Sequence, residues 1–315
     1  MLNRRKILTA AASLAVVPAA TATSAFASSE RYVEVPGGKV WVNVVGSGRR
    51  PPLLLLHGGP GAGHDYLEPL GQLGEDRTVV FYDQLGCGRS DKPDDPSLWT
   101  LDRSIAELDA VRCALNLDRC HLYGHSWGGW LAIEYLARKH RGVHAVVLAS
   151  TSSSMEEFVA GTRYLRTLLP QDVQQTLDYY EAKGEFTAPE YLDAVNVFYA
   201  NFLCRLPQPY PAPLQRSFDN LDGNQVYATM NGPNEFVVNG TLKDWDRTAQ
   251  LGQIKNPVLL TRGRYDEFAE PCTDTLEQGI PHTKRVEFPN SAHMAMWEDQ
   301  QAYINALSSF LADAE

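Results

Sequence analysis

The stretch "LYGHSWGGW", residues 122–130, sets one serine between two glycines, with an apolar run in front of it and a helical pattern behind. The spacing is G-x-S-x-G over Gly124, Ser126 and Gly128. It marks a nucleophile elbow, where a strand turns so sharply into a helix that the serine is strained and its hydroxyl stands exposed. A side chain at either flanking position is expected to strike the neighbouring strand or helix, so glycine is required there. The competing reading is a Gly-rich turn with a solvated serine. The rest of the chain decides between them.

Working outward, "CHLYGHS" reads as the elbow strand and "WGGWLAIEYLARKH" as the helix after it. Before it, "RYVEV" and "KVWVNVVG" alternate apolar with polar around "PGG", an opening hairpin. "PPLLLLHGG" is a continuous apolar run, as expected of a strand buried on both faces. "RTVVFYDQ" is a further strand, ending in the loop "LGCGRS". Leu101, Ile105, Leu108, Val111 and Leu115 recur at helical spacing over about residues 101–117. "HAVVLAS" is another buried strand. Strand signal then fades from Ser152 to Thr248, where helical pieces alternate with Pro-rich connections such as "RLPQPYPAP". It returns at "NPVLLTRG" and "TKRVEFP", and a last helix is expected over about Trp297 to Leu311. This βα alternation predicts a doubly wound, mostly parallel sheet of α/β-hydrolase type, interrupted by a mainly helical lid. The expected divisions are a leader over 1–27, core over 28–151, helical cap over 152–248 and core again over 249–315.

In such sheets the chemistry gathers at the carboxyl ends of the strands. A serine hydroxyl needs a base, and in elbow hydrolases acid and base follow the serine in the order Ser, Asp/Glu, His. Only His282 and His293 lie beyond the lid. His282 precedes the "TKRVEFP" strand, at its amino end, whereas His293 follows that strand in "PNSAH". Asp266 follows "PVLLTRG" at another carboxyl end, with Glu267 and Glu270 as nearby rivals. The expected triad is Ser126, Asp266 and His293. A tetrahedral oxyanion also needs donors where its charge develops. The Trp127 amide is one, and the other is assigned to Gly59 in "HGGPG", where no side chain blocks the substrate oxygen. His57 is expected to shape this loop by hydrogen bonding. "GGPGAG" fits no G-x-G-x-x-G register, so it is not a dinucleotide fingerprint.

"HGGPG", "DQLGCGRS", "GHSWGG", "GRYDE" and "SAHMAMWE" together resemble the proline iminopeptidase (prolyl aminopeptidase) family of α/β-hydrolases, over nearly all of the chain after the leader. The lid's "MNGPNEFVVNGTLKDWD" resembles the branch with the tricorn-interacting aminopeptidase and bacterial L-amino acid amidases. The resemblance implies that two glutamates bind the substrate's α-amine, matching Glu235 in G-P-N-E-F and Glu267 beside the triad aspartate. From the residues alone, Glu235 also reads as a solvated loop acid, and Glu267 as an alternative triad acid or a surface charge. Physically, a desolvated ammonium requires a paired anion.

Formal charge is −10, and the first 27 residues contribute three bases and no acid, leaving −13 for the remainder. Such acidity argues against nucleic acid as a partner. "NRRKIL", an alanine-rich apolar stretch and "AFA" at 25–27 read as an export signal cleaved before Ser28. The paired Arg4 and Arg5 resemble a twin-arginine signal, an address rather than a membrane anchor; a Sec signal is the alternative. The expected location is therefore periplasmic or secreted. Five cysteines (87, 113, 120, 204, 272) form no C-x-x-C pair or zinc pattern, and Cys113 with Cys120 is a conceivable bridge. No metal or cofactor is expected. Cys87, in the loop after "VVFYD", is expected to make the enzyme sensitive to bulky thiol reagents by crowding.

The expected activity is a serine hydrolase that removes an N-terminal residue from short peptides, or cleaves amino acid amides and arylamides. An esterase without the amine requirement is the alternative. Epoxide hydrolases and dehalogenases place aspartate at the elbow, and a dead receptor would not fill every catalytic position.

Overall fold

The computed structural model describes residues 28–314; the leader reading over 1–27 lies outside the described residues. Eight strands form one sheet: β1 (Ser28–Val35), β2 (Gly38–Val45), β3 (Arg50–Leu56), β4 (Arg77–Tyr82), β5 (Cys120–His125), β6 (Val143–Ala149), β7 (Val258–Gly263) and β8 (Thr283–Phe288). Their order is β1-β2-β4-β3-β5-β6-β7-β8. The β1–β2 and β2–β4 pairs are antiparallel, and every pair from β4 across to β8 is parallel. The carboxyl ends of β3 through β8 therefore open on one edge.

The leucine run in β3 shows why the sheet is buried on both sides. Leu54 and Leu56 join one apolar cluster and Leu53 and Leu55 the other, because successive strand side chains face opposite ways. Burying each such side chain is worth roughly 1.5–3 kcal/mol. One face is covered by α1 (Leu101–Ala114), α2 (Trp127–Ala137) and α8 (Glu270–Gly279). The other is covered by 3₁₀ turns over Asp65–Glu75 and by α10 (Gln300–Asp313). Thr100 caps α1, its hydroxyl accepting from the Arg103 amide at 3.3 Å. The helix ends earlier than its apolar spacing suggests, because Asn116 turns to φ +54°.

Between β6 and β7 lie α3 (Met155–Arg166), α4 (Gln171–Glu181), α5 (Pro189–Phe202), α6 (Ala212–Leu221) and α7 (Gln225–Met230). The prolines of this segment mark helix starts: α4 and α6 follow Pro170 and Pro211, and α5 begins at Pro189. These helices have a core of their own, including Leu177, Tyr191, Phe198 and Phe236.

The expected last helix proves to be two, α9 (Ala295–Glu298) and α10, broken at Asp299. The acids at the break serve the loop before them. Asp299 accepts from Ser291 Oγ at 3.0 Å, and Glu298 from the Ala292 amide at 2.8 Å. Glu298 also accepts from the Arg205 amide at 2.6 Å, which ties this loop to the helical insertion.

Candidate active site

At the elbow, Ser126 has φ +57° and ψ −124°, a backbone strained for any residue with a side chain. A Cβ on Gly124 would lie 2.3 Å from the Gly128 oxygen, and one on Gly128 would lie 2.0 Å from the Leu56 oxygen. Both flanking glycines are thus obligatory, one against the following helix and one against β3. The strained turn is held by the Ser126 amide donating to Ala149 O at 3.0 Å and by Thr151 Oγ1 donating to Ser126 O at 2.9 Å.

Asp266 follows β7 and His293 follows β8, and the two meet: His293 Nδ1 lies 2.9 Å from Asp266 Oδ1. His282 stays at the opposite edge, where its carbonyl pairs with the Val258 amide at 2.8 Å. Burial by itself would raise the Asp266 carboxyl, but the adjacent imidazole and the Phe268 amide outweigh it and hold the group below its ordinary range. The imidazole stacks on Phe268, with ring centroids 5.5 Å apart. Ser126, His293, Glu235 and Glu267 line one open cavity.

The loop after β3 also borders this cavity through Gly58 and Gly59. Gly59 has φ +110°, a conformation that favours glycine. The Gly58 amide is already committed, donating to Tyr66 Oη at 2.7 Å. Tyr66 in turn lies 2.9 Å from His125 Nδ1, and His125 Nε2 lies 3.0 Å from the His293 carbonyl oxygen. Because a carbonyl only accepts, Nε2 carries the proton and Nδ1 accepts from the tyrosine. Burial, then the nearby His293, pushes His125 down to about 3, so the ring stays neutral. His57 shapes the same loop, with Nδ1 2.9 Å from Gly58 O and Nε2 accepting from the Gln84 amide at 3.0 Å. Trp127 opens α2, and its buried indole donates to Gln84 Oε1 at 2.9 Å.

Glu235 comes from the loop after α7 and is clasped by two phenols. Tyr227 Oη donates to Oε1 at 2.7 Å, and Tyr199 Oη donates to Oε2. Burial, then the Glu235 charge, pushes both phenols well up, so they remain donors. Glu267 is fully buried beside Asp266, with Oε1 3.5 Å from His293 Nε2 and no hydrogen-bond partner for Oε2. Burial first, then the charges of Glu235 and Asp266, push its carboxyl well above the usual range. A half-buried Glu235 facing a buried Glu267 leaves negative charge that a bound cation relieves, and such a cation would favour the ionised form of Glu267. Glu270, the remaining rival, opens α8 and pairs with Arg285 at 3.0 Å.

Sequence reading missed Tyr199, Tyr227, Tyr66, His125 and Gln84. Only His125 and Gln84 carried a signal, as part of the quoted motifs; the tyrosines lie in helices and turns of ordinary composition. The expectation for Cys87 needs correction. Its thiol is buried, lies outside the cavity lining, and is pushed well above its ordinary range by burial, so reagents have neither access nor thiolate. All five cysteines are free thiols. Among the described residues, His64, Asp65 and Glu68 are close enough to share a metal, but Arg216 already pairs with both carboxylates.

The alpha/beta hydrolase fold family matches residues 51–300. The chain is 43% identical over 270 residues to a proline iminopeptidase of Saccharolobus solfataricus, covering 85% of this chain and 86% of that one. It is 40% identical to a proline iminopeptidase of Levilactobacillus brevis, covering 90% and 96%. The crystal structure of the Mycobacterium smegmatis proline iminopeptidase superposes with a TM-score of 0.84 at 33% identity, over 91% of this chain and 98% of that one. Similarity this high, spread over both halves of the core and the helical insertion between them, has one consequence: the chain belongs to the proline iminopeptidase family of α/β-hydrolases.

Proposed function

We propose that this protein is a serine aminopeptidase that removes the N-terminal residue, proline among others, from short peptides and from amino acid amides and arylamides. The observation that carries the reading is the convergence of Glu235 and Glu267 on the cavity that holds Ser126 and His293. A carboxylate pair there recognises a free α-amine and sets the first carbonyl of the chain beside the serine.

Ser126 Oγ attacks that carbonyl and its proton passes to His293 Nε2, while Asp266 holds Nδ1–H and the imidazolium that forms. The amides of Gly59 and Trp127 receive the oxyanion. His293 then gives the proton to the leaving amine, and water releases the acyl group by the same route reversed. The 152–248 segment acts as the lid that brings Glu235 over the nucleophile. The paired arginines and the A-x-A site support export before action on peptides, with Ser28 as the first mature residue. N-terminal sequencing of secreted protein, beside a variant with Arg4 and Arg5 changed to lysine, tests that step.

The decisive experiment is a panel of aminoacyl-arylamides assayed beside their N-acetylated forms. Hydrolysis confined to the free amines is expected. Efficient cleavage of the acetylated substrates would favour an esterase-like enzyme instead.

A further inference from the structure

The two oxyanion donors assigned above come from separate segments, Gly59 after β3 and Trp127 at the start of α2. Both must aim at one oxygen atom, and catalysis falls steeply when such a donor is misplaced. Strand pairing alone does not align them. The β3–β5 ladder ends at Leu56 opposite Gly124, before either donor is reached.

Gln84, just beyond β4, touches both segments. Its backbone amide donates to His57 Nε2 at 3.0 Å and its Nε2 donates to His57 O at 3.0 Å. Its Oε1 accepts from Trp127 Nε1 at 2.9 Å. The bond to the Gln84 amide settles the imidazole: Nε2 accepts, so in the neutral ring Nδ1 carries the proton and donates to Gly58 O at 2.9 Å. That carbonyl belongs to the same planar peptide unit as the Gly59 N–H. Holding the Gly58 oxygen therefore holds the direction of the Gly59 amide. On the other side, the indole hangs from the residue whose amide is the second donor. The Gln84 side chain is 3% exposed, and each polar end of its amide has a partner.

We propose that Gln84 is a positioning residue for the oxyanion hole, aligning the Gly59 amide through His57 and the Trp127 amide through its indole. The proposal rests on the assignment of those two amides. It accounts for a glutamine in "DQLGCGRS" that touches neither nucleophile nor base.

The test uses Gln84→Met, which keeps the volume and deletes both side-chain hydrogen bonds, to His57 O and from the Trp127 indole, while the backbone bond to His57 Nε2 stays, with folding checked by circular dichroism and Tm. On an aminoacyl-arylamide, kcat is expected to fall about 10- to 100-fold, less than the 10²–10³ typical of losing a whole donor, with KM within about twofold. L-Prolinal and L-prolinol separate the causes. The aldehyde adds Ser126 Oγ to its carbonyl carbon, the π pair moves to oxygen and the serine proton passes to His293, whereas the alcohol cannot load the hole. Gln84→Met should weaken the aldehyde by the same factor as kcat and leave the alcohol unchanged. Equal weakening of both, or an unchanged kcat in folded variant, would overturn the proposal by reducing Gln84 to a wall of the pocket. Should Gln84→Met fail to fold, Trp127→Phe cuts the indole bond alone and must show the same signature, smaller in size. Where Gln84→Met does fold, Trp127→Phe should cost less in that background than in wild type, since the two share the indole bond. A wild-type enzyme that binds aldehyde no better than alcohol would remove the oxyanion assignment itself, and the proposal with it.

Discussion

The elbow and the amine-binding corner border the same cavity but are built by opposite means. At the elbow, five consecutive residues suffice: Gly124 and Gly128, on either side of Ser126, are dictated by backbone atoms closer than any side chain tolerates. The corner is assembled from three separate stretches of chain, Tyr199 in α5, Tyr227 in α7 with Glu235 in the loop just after it, and Glu267 beyond β7. The elbow works through local strain, and its two flanking glycines are irreplaceable sterically. The corner works through convergence of charge and donors, so its residues are replaceable sterically and demanding only electrostatically.

The sharpest break is at the nucleophile. Ser126→Ala or His293→Ala should remove turnover, by about 10⁶ in kcat, and Asp266→Asn should cost about 10⁴. Arylamide assays and fluorophosphonate labelling check this; near-normal rates in Ser126→Ala would end the serine-hydrolase mechanism. Next comes the steric claim. Gly128→Ala should cost at least 4–5 kcal/mol by order of magnitude, enough to prevent folding, as read by soluble yield and circular dichroism. A folded, active Gly128→Ala would show the elbow to be far more pliable than its geometry implies.

The corner should respond differently, keeping its fold and losing a substrate class. Glu235→Gln or Glu267→Gln should lower kcat/KM for aminoacyl-arylamides about 30- to several-thousand-fold, the usual cost of stranding one partner of a desolvated ion pair. A neutral p-nitrophenyl ester should be cleaved almost as before. The double variant should lose less than the sum, because both carboxylates share one cation. Tyr227→Phe removes one of two donors to Glu235 and should cost about tenfold on amine substrates, again sparing the ester.

The smallest effect concerns stability. In the folded protein Glu267 titrates well above its ordinary range, so the native state holds its proton more tightly than the unfolded chain does. Stability from this group is complete at acidic pH and is lost as pH rises from the ordinary carboxylate range through the raised one. Glu267→Gln should thus melt higher than wild type at pH 8, by a few degrees at roughly 2–4 °C per kcal/mol, with the gap closing as pH falls. The groups facing Glu267, namely Glu235, Asp266 and His293, must be unchanged in that comparison. A wild type that is the more stable at pH 8 would show that Glu267 is better satisfied than its unpaired Oε2 implies.

Sequence by itself determined the parts of the molecule whose cause is local. Four adjacent leucines require a strand with two buried faces, glycines at a fixed spacing require the elbow, and chain order with strand ends selects Asp266 and His293. Their meeting at 2.9 Å follows because β7 and β8 are neighbours and both open on the same edge. Tertiary structure alone decided what depends on contacts between distant segments. Nothing near Tyr199 or Tyr227 in the chain distinguishes them from core aromatics until α5 and α7 bring both hydroxyls to Glu235. The break at Asp299 depends on a loop that needs its carboxylate, and Cys87 looks reachable until packing closes over it. Periodicity and steric exclusion act over a few residues and are written in the sequence. Burial and hydrogen-bond partnership are set by segments the sequence separates by tens or hundreds of positions, so only the folded chain reveals them.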